Sequence, residues 1–91
     1  MMDFGEALDA LKAGLCVTRK GWNGKDMYLY LVDGSHFLVS RAPLNKLLPE
    51  GTKVDYRSHI DMRTADGSMV PWTASQTDVL ACDWDIVDPI G

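Results

Sequence analysis

The stretch MYLYLV at positions 27–32 decides the fold of this chain. It is apolar at both odd and even positions, a pattern typical of a central strand that is covered on both faces. It is also the longest apolar run in the sequence, and it is far too short to span a bilayer. We therefore expect a sheet built around this strand rather than a membrane segment.

Turn signals extend the sheet on either side of this strand. Asp33-Gly34 predicts a hairpin turn with a return strand at 36–40. Asp66-Gly67 predicts a second hairpin, and Pro71 puts the last strand of that hairpin at an edge or at its own end. The remaining strands are expected at 16–19, 52–56, 60–64, 68–72 and 84–87.

Capping signals predict two helices. Asp3 can cap the first, Glu6 stands where a capping box has its carboxylate, and Gly14 is suited to end it. Ser75 and Asp78 repeat the capping pattern for a short second helix near the C-terminus. The predicted fold is α+β: a single small domain over residues 1–91, with the N-terminal helix packed on an antiparallel sheet of hairpins.

Charge and cysteine content limit the classes of function. The 91 residues carry a formal net charge of −4, and the basic residues are scattered, so nonspecific attachment to long nucleic acid is not expected. A small anionic ligand remains compatible, because it requires only two or three placed donors. Cys16 and Cys82 lie far apart and predict reduced, buried thiols. Acidic residues begin at Asp3 and no leader-like apolar run follows, which favours a cytoplasmic protein.

Two tryptophan segments stand out from the apolar pattern. Trp22 lies in the turn GWNGK at 21–25, and Trp72 precedes a polar stretch at the second helix. An aromatic face can stack a nucleobase for roughly 1–3 kcal/mol, and helix N-terminal amides can bind a phosphate. The two rings could equally plug the ends of a small core, so both interpretations stay open at this point. Trp84, within a predicted strand, is expected to pack in the core or an interface.

Catalytic and metal-binding patterns are weak. His59 and Asp61 would share one face of a strand and could form an acid–base pair, but a hydrogen-bonded structural pair is the simpler interpretation. No third group completes a nucleophilic triad, and the histidines and carboxylates are too dispersed for a metal site. The acidic series Asp83, Asp85 and Asp88 is interpreted as a solvated strand face.

Longer segments of the sequence resemble a known family. DFGEAL at 3–8, GWNGKDMYLYLV at 21–32, SRAPL at 40–44, HIDM at 59–62, TADG at 64–67 and PWTASQTDVLACDWDIV at 71–87 are similar to the phage-encoded Thoeris anti-defence protein 2 family. The resemblance covers essentially the whole chain. One departure is Asp26, where family members often carry a small or neutral residue.

The resemblance implies a protein that sequesters a signal and does no chemistry on it. Family members bind glycocyclic ADP-ribose, the signal of the bacterial Thoeris system, without degrading it, so the Thoeris effector is not activated. They form homotetramers with ligand pockets between protomers, and some also hold cyclic oligonucleotides at separate sites. The implied protein is not an enzyme, has no cofactor and works in the cytoplasm of the infected host.

The resemblance also assigns roles to particular residues. Trp22 and Trp72 are the expected walls of the pocket. The residues expected to make polar contacts with the ligand, or to lie in the segment that makes them, are Asn23, Gly24, Ser75, Gln76 and Asp78. The candidates for binding the diphosphate are Lys25, Arg41 and Arg57. Two competing hypotheses remain: a small nucleotide hydrolase or lyase that uses His59 and Asp61, and a phage structural accessory protein whose tryptophans fill interfaces.

Overall fold

The fold is the predicted α+β arrangement. The structure, a computed structural model, describes residues 1–22 and 26–90. Its elements are, in chain order, α1 (Phe4–Lys12), β1 (Cys16–Arg19), β2 (Tyr28–Val32), β3 (Ser35–Leu38), β4 (Lys53–Tyr56), β5 (His59–Arg63), β6 (Met69–Pro71), α2 (Gln76–Leu80) and β7 (Trp84–Val87), with a short 3-10 turn at Leu44–Lys46. The N-terminal helix, the hairpin sheets and the short second helix match the expectation from sequence.

Local capping chemistry starts and ends α1 as predicted. The Asp3 carboxylate accepts a hydrogen bond from the backbone N–H of Glu6 at 2.8 Å, and the Glu6 carboxylate accepts one from the Asp3 N–H at 3.2 Å. The chain leaves the helix through Gly14, whose φ of 88° is accessible to glycine at little cost. The apolar side of α1 is thereby directed onto the sheet, with Ala7 and Leu11 fully buried.

The main sheet has five antiparallel strands in the order β6-β5-β2-β1-β7. β2 lies at the centre, as its apolar sequence predicts, and β6 lies at an edge, as Pro71 predicts. β5 and β6 form the predicted hairpin around Asp66-Gly67. β7 pairs with β1 over its whole length, so the last strand of the chain completes the sheet beside the first.

The hairpin predicted at Asp33-Gly34 is wrong. β2 pairs with β5, and β3 pairs with β4 in a separate two-stranded sheet. In both ladders the residue numbers of two paired residues have the same sum, which means that the β3–β4 pairing continues the register of the β2–β5 pairing. The chain therefore runs straight past Gly34 and reverses only at 39–52. A Cβ atom at Gly34 would lie 2.3 Å from the Tyr56 carbonyl oxygen. Gly34 therefore permits a close approach of two backbones rather than a turn.

This continuation produces a protruding arm, residues 33–58. The radius of gyration is 16.0 Å, whereas a compact chain of this length has about 12 Å. The accessible surface is 6546 Å², against about 5,300 Å² for a typical monomer of this mass. The chain thus exposes roughly 1,200 Å² more surface than a compact monomer would.

The core lies between α1 and one face of the sheet, where Val17, Leu29 and Trp84 are fully buried. Successive residues of a strand point to opposite faces, so Tyr28 and Tyr30 of β2 point away from α1. Both are only half-buried, and the expectation that β2 is covered on both faces is therefore wrong for one chain. The reason is that both helices lie elsewhere: α1 packs on β1, β2 and β7 from one side and contacts α2.

The cysteines are free, but only partly as expected. Cys16 is half-buried, whereas Cys82 is exposed in the bend that follows α2. The expectation of two buried thiols is therefore wrong for Cys82. No helix within residues 1–22 and 26–90 is long and apolar enough to cross a bilayer.

Candidate functional site

Trp22 lies in the turn that leaves β1. Its backbone N–H donates to the carbonyl oxygen of Arg19 at 3.3 Å, which holds the turn closed. Its indole Nε1–H donates to Oδ1 of Asp78 at 3.2 Å, and its ring meets the Trp84 ring edge-on, with centroids 5.3 Å apart. The residue is half-buried, so Trp22 is anchored at its polar edge and against Trp84 rather than fully enclosed.

Trp72 leaves the edge of the sheet directly after β6. Its N–H donates to the carbonyl oxygen of Ile60 at 3.1 Å, which continues the β5–β6 ladder by one residue. Its ring contacts Phe4 of α1 with centroids 6.0 Å apart and Trp84 at 6.2 Å. Trp72 is also half-buried, so both predicted wall residues combine a packed side with an accessible one.

Trp84 connects these two rings. It is fully buried, and its Nε1–H donates to the backbone carbonyl oxygen of Asp78 at 2.9 Å. It contacts Trp22 and Trp72 at interplanar angles of 80° and 86°. The ring contacts within the described residues do not include a direct Trp22–Trp72 pair. The prediction that Trp84 packs in the core is confirmed, and the two other indoles rest against it.

An open groove runs along the accessible side of Trp72, between α1 and β5. Its volume is about 770 Å³, within the range of small-molecule pockets in proteins. Its lining is mostly apolar, with polar groups at the rim: Phe4, Leu8, Lys12, Leu31, Ser58, His59, Ile60, Trp72, Thr73 and Ala74. The groove thus brings together the Trp72 ring, the positive charge of Lys12 and the hydroxyl groups of Ser58 and Thr73.

The polar residues of the second helix are used within the fold. Ser75 Oγ accepts from the Asp78 N–H at 3.0 Å, and Asp78 Oδ2 accepts from the Ser75 N–H at 3.3 Å, which completes the predicted capping box. Asp78 Oδ1 accepts from both Arg19 and Trp22. Gln76 is exposed at the first position of α2. Ser75 and Asp78 therefore position the tryptophans, while the Gln76 side chain faces solvent.

The electrostatics of Asp78 follow from these contacts. Burial alone would raise the pKa of its carboxyl group, but hydrogen bonds from Arg19, Ser75 and Trp22 outweigh burial and lower the pKa below its ordinary value. The carboxylate is therefore ionised at neutral pH although its side chain is only 13% exposed. Its charge is balanced locally by the Arg19 guanidinium at 2.8 Å.

Two of the predicted cations, Arg41 and Arg57, lie on the arm and are not among the residues that line the Trp72 groove. Arg41 lies on the arm, at a pocket of about 440 Å³ that it shares with Phe37 and Tyr56. Arg57 lies at the base of the arm, beside Asp55 and His36. Lys25, with Asn23 and Gly24, falls outside the described residues. Lys12, which sequence reasoning did not single out, is instead the cation at the Trp72 groove.

Arg19 and Asp83 are two further residues that sequence reasoning missed. Arg19 Nε donates to Asp83 Oδ1 at 2.8 Å, so Asp83 is part of an internal ion pair. Its assignment to a solvated strand face is therefore wrong, and the hydrogen bond from Arg19 lowers the pKa of its carboxyl group. Only the pairing of β1 with β7, between residues more than sixty positions apart, brings these groups together.

The geometry for acid–base or metal chemistry is poor in the described part of the chain. His59 Nε2 lies 3.7 Å from Asp61 Oδ1, longer than a hydrogen bond, and His59 Nδ1 faces the Arg57 carbonyl oxygen at 3.2 Å. Asp61 Oδ1 is buried without a hydrogen-bond partner. Among residues 1–22 and 26–90, no three His, Cys, Asp or Glu side chains cluster as metal ligands.

Comparison with known proteins places the chain in a family. The model of the Tad2-like family, described as the Thoeris anti-defense 2-like domain, matches residues 2–87, which include α1, both helix caps and all three tryptophans. One relative, Thoeris anti-defense 2 of Bacillus phage SP01, is 46% identical over 88 residues, and the match covers 94% of each chain. The resemblance noted from the sequence motifs is thus confirmed over nearly the full length: this chain belongs to the Thoeris anti-defense 2-like family.

Proposed function

We propose that this protein is a phage anti-defence protein that binds glycocyclic ADP-ribose, holds it without degrading it, and so blocks activation of the Thoeris effector. Membership of the family supports the Thoeris anti-defence role. The sequestration step rests on the chemistry of the tryptophan region.

The observation that carries this proposal is the open groove at Trp72. A flat indole face that is fixed on one side and accessible on the other suits the stacking of a purine base. Lys12 at the rim of the same groove supplies a positive charge for a phosphate, and Ser58 and Thr73 supply hydroxyl groups for ribose or phosphate oxygens. The groove volume of about 770 Å³ matches a ligand of nucleotide size.

Sequestration also fits the spacing of the titratable groups. Holding a signal intact requires binding without a reacting group, whereas hydrolysis requires a base within hydrogen-bond reach of its partner. The 3.7 Å separation of His59 and Asp61 does not favour the hydrolase alternative. The protein is therefore proposed to act in stoichiometric amounts in the cytoplasm of the infected host, without a cofactor.

Self-association is part of the same proposal. The arm exposes five large apolar side chains, at 38–74% of their area: Phe37, Leu38, Leu47, Leu48 and Tyr56. The sheet face that carries Tyr28 and Tyr30 is only partly covered, since both side chains are half-buried. The roughly 1,200 Å² of surplus surface is more than the 800 Å² or so that each partner of a standard interface buries. We propose a homotetramer in which a neighbouring chain completes the pocket at Trp22 and Trp72.

Arg41 and Arg57 fit this assembly better than they fit the groove of their own chain. Both lie on the arm, which is the part of the molecule that reaches outward. In a tetramer an arm residue of one chain can meet the pocket of another. The same arm surface is where a separate site for cyclic oligonucleotides would be sought, since Arg41 lies there beside the stacked rings of Phe37 and Tyr56.

The test is a binding and release experiment. Purified protein is exposed to glycocyclic ADP-ribose, freed of unbound ligand and heated, and the released molecule is weighed by mass spectrometry. Unaltered ligand in stoichiometric amount is expected. A chemically altered product that disappears in His59→Ala would replace sequestration by catalysis, and no retained ligand at all would sink the proposal in favour of a structural accessory protein.

Matched variants locate the pocket. Trp72→Ala and Trp22→Ala are each expected to weaken binding by about 5- to 150-fold, since a stacked base is worth roughly 1–3 kcal/mol. Lys12→Ala should also weaken binding, whereas Lys12→Arg keeps the positive charge at the groove and should bind nearly as the unaltered protein does. Normal affinity in a folded Trp22→Ala, Trp72→Ala double variant would show that the pocket lies elsewhere.

A further inference from the structure

The Arg19 side chain bridges two carboxylates that approach it from different elements. Its Nη1 donates to Asp78 Oδ1 and its Nε donates to Asp83 Oδ1, both at 2.8 Å. Asp78 belongs to α2, and Asp83 lies in the connection between α2 and β7. The Arg19 side chain is 13% exposed, so this cluster is largely withdrawn from water. A planar guanidinium is the group that can present separate N–H donors to two carboxylates at once.

Each of these carboxylates holds a different part of the Trp22 segment. Asp83 Oδ2 accepts from the Gly21 N–H at 2.8 Å, and the Asp83 carbonyl oxygen accepts from the Lys20 N–H at 3.2 Å. Asp78 Oδ1 accepts from the Trp22 indole at 3.2 Å. Asp83 thus fixes the backbone before Trp22, Asp78 fixes the Trp22 indole, and both carboxylates share Arg19 as their positive partner.

The backbone at Gly21 is packed closely against the side chains of Asp83 and Arg19. A Cβ atom added at Gly21 would lie 2.9 Å from Asp83 Oδ2 and 3.2 Å from Arg19 Nη2. The turn therefore runs directly against the ion cluster rather than near it. Without the guanidinium, one buried and one half-buried carboxylate would lose their shared positive partner, and either acid could rotate out to solvent and release its hold on the turn.

We propose that Arg19 is a positioning residue for ligand binding: through Asp78 and Asp83 it fixes the Trp22 indole in one orientation before the ligand arrives. The inference rests on the proposed function in taking Trp22 as a wall of the pocket. Its physical content is preorganisation. Ordering a side chain at the moment of binding costs roughly 0.5–1.5 kcal/mol, so a Trp22 ring that is ordered beforehand binds about 3- to 10-fold more tightly.

The test separates the orientation of Trp22 from ligand binding. In Arg19→Met the indole Nε1–H resonance of Trp22, assigned by its absence in Trp22→Phe, is expected to shift and to exchange faster with water. The rate at which the Trp84 indole N–H exchanges with water should hardly change, because its acceptor is the backbone carbonyl of Asp78 rather than the carboxylate. Affinity for glycocyclic ADP-ribose should fall about 3- to 10-fold.

Two further variants keep the outcome decisive. Arg19→Lys retains the positive charge but lacks the planar guanidinium that donates to both carboxylates, so it should show a smaller change of the Trp22 indole resonance. This variant tests the proposal even if Arg19→Met fails to fold. Arg63→Met removes an arginine whose side-chain hydrogen bonds, among the described residues, go to the backbone carbonyls of Asp26 and Thr64, and it should leave the Trp22 resonance in place.

Each result decides the matter. An unchanged Trp22 resonance in folded Arg19→Met or Arg19→Lys would overturn the proposal, as would a shifted resonance with undiminished affinity. If the unaltered protein binds no nucleotide, the proposed function fails and the claim about binding fails with it. The indole resonances would still report separately whether Arg19 orients Trp22.

Discussion

Replacing Trp84 by phenylalanine tests whether this one buried indole holds the tryptophan region together. The substitution removes the hydrogen bond from Nε1 to the Asp78 carbonyl oxygen, worth about 1 kcal/mol. That carbonyl keeps a second donor, the Ala81 N–H at 3.3 Å, so it is not left unsatisfied. The smaller ring loses contact with Trp22 and Trp72 and leaves a small cavity, which costs about 2 kcal/mol more.

The expected total for Trp84→Phe is therefore about 2–3 kcal/mol of unfolding free energy. A chain of this length has roughly 5–13 kcal/mol, so the variant should fold, with a Tm about 10–20 °C lower. Urea and thermal unfolding followed by circular dichroism, at one protein concentration for all variants, measure both quantities. Trp22→Phe is the control: Trp22 is only half-buried, and its loss should cost about 1 kcal/mol. A cost for Trp84→Phe no larger than that of the control would refute the central role of Trp84.

Three further predictions concern charge, the arm and the second hairpin. The pKa values of Asp78 and Asp83 are lower in the folded chain than in the unfolded chain. Their ionised forms therefore stabilise the fold fully above about pH 4, and this stabilisation is lost as the pH falls through the lowered pKa values of the folded chain. Urea unfolding at about pH 6 and about pH 3 should show the loss, and Arg19→Met should show a smaller one; an equal loss in both proteins would contradict the assignment. Gly34→Ala places a Cβ 2.3 Å from the Tyr56 carbonyl oxygen and should speed hydrogen exchange in β3 and β4, whereas Gly5→Ala, with its nearest contact at 3.3 Å, should not. Hydrogen bonds from Thr64 and Ser68 lower the pKa of Asp66 to about 2, so an NMR titration should find this carboxyl group ionised down to that pH, and a midpoint near 4 would mean that the hairpin contacts are absent in solution.

The fold was predictable wherever the deciding signal is local. A capping box links residues three positions apart, so Asp3 with Glu6 and Ser75 with Asp78 could each be recognised from the sequence, and both form. Asp66-Gly67 likewise encodes its own turn, and Pro71 excludes its strand from the sheet interior. Asp33-Gly34 carries the same turn residues as the true hairpin. What distinguishes it is the backbone of Tyr56 passing alongside, which lies twenty-two positions further along the chain.

The site divides in the same way. The two half-buried indoles, Trp22 and Trp72, could be found from the sequence, because a large ring among glycines or polar residues departs from an apolar stripe. The state of Asp78 could not be found, because its donors Arg19 and Trp22 lie more than fifty positions away. Arg41 and Arg57 were predicted for a diphosphate from the family resemblance, and the structure places both on the arm, outside the lining of the Trp72 groove of their own chain.

The sequence by itself determined which segments become helices and strands, that Asp66-Gly67 turns the chain, which family the chain resembles, and which aromatic side chains are unusual. The tertiary structure alone decided that β1 closes on β7, that the chain runs past Gly34 into an arm, and that Arg19 joins two acids behind Trp22. The reason is physical. Capping and turn formation depend on neighbours along the chain, whereas strand order and ion clusters depend on groups that only packing brings within hydrogen-bond distance.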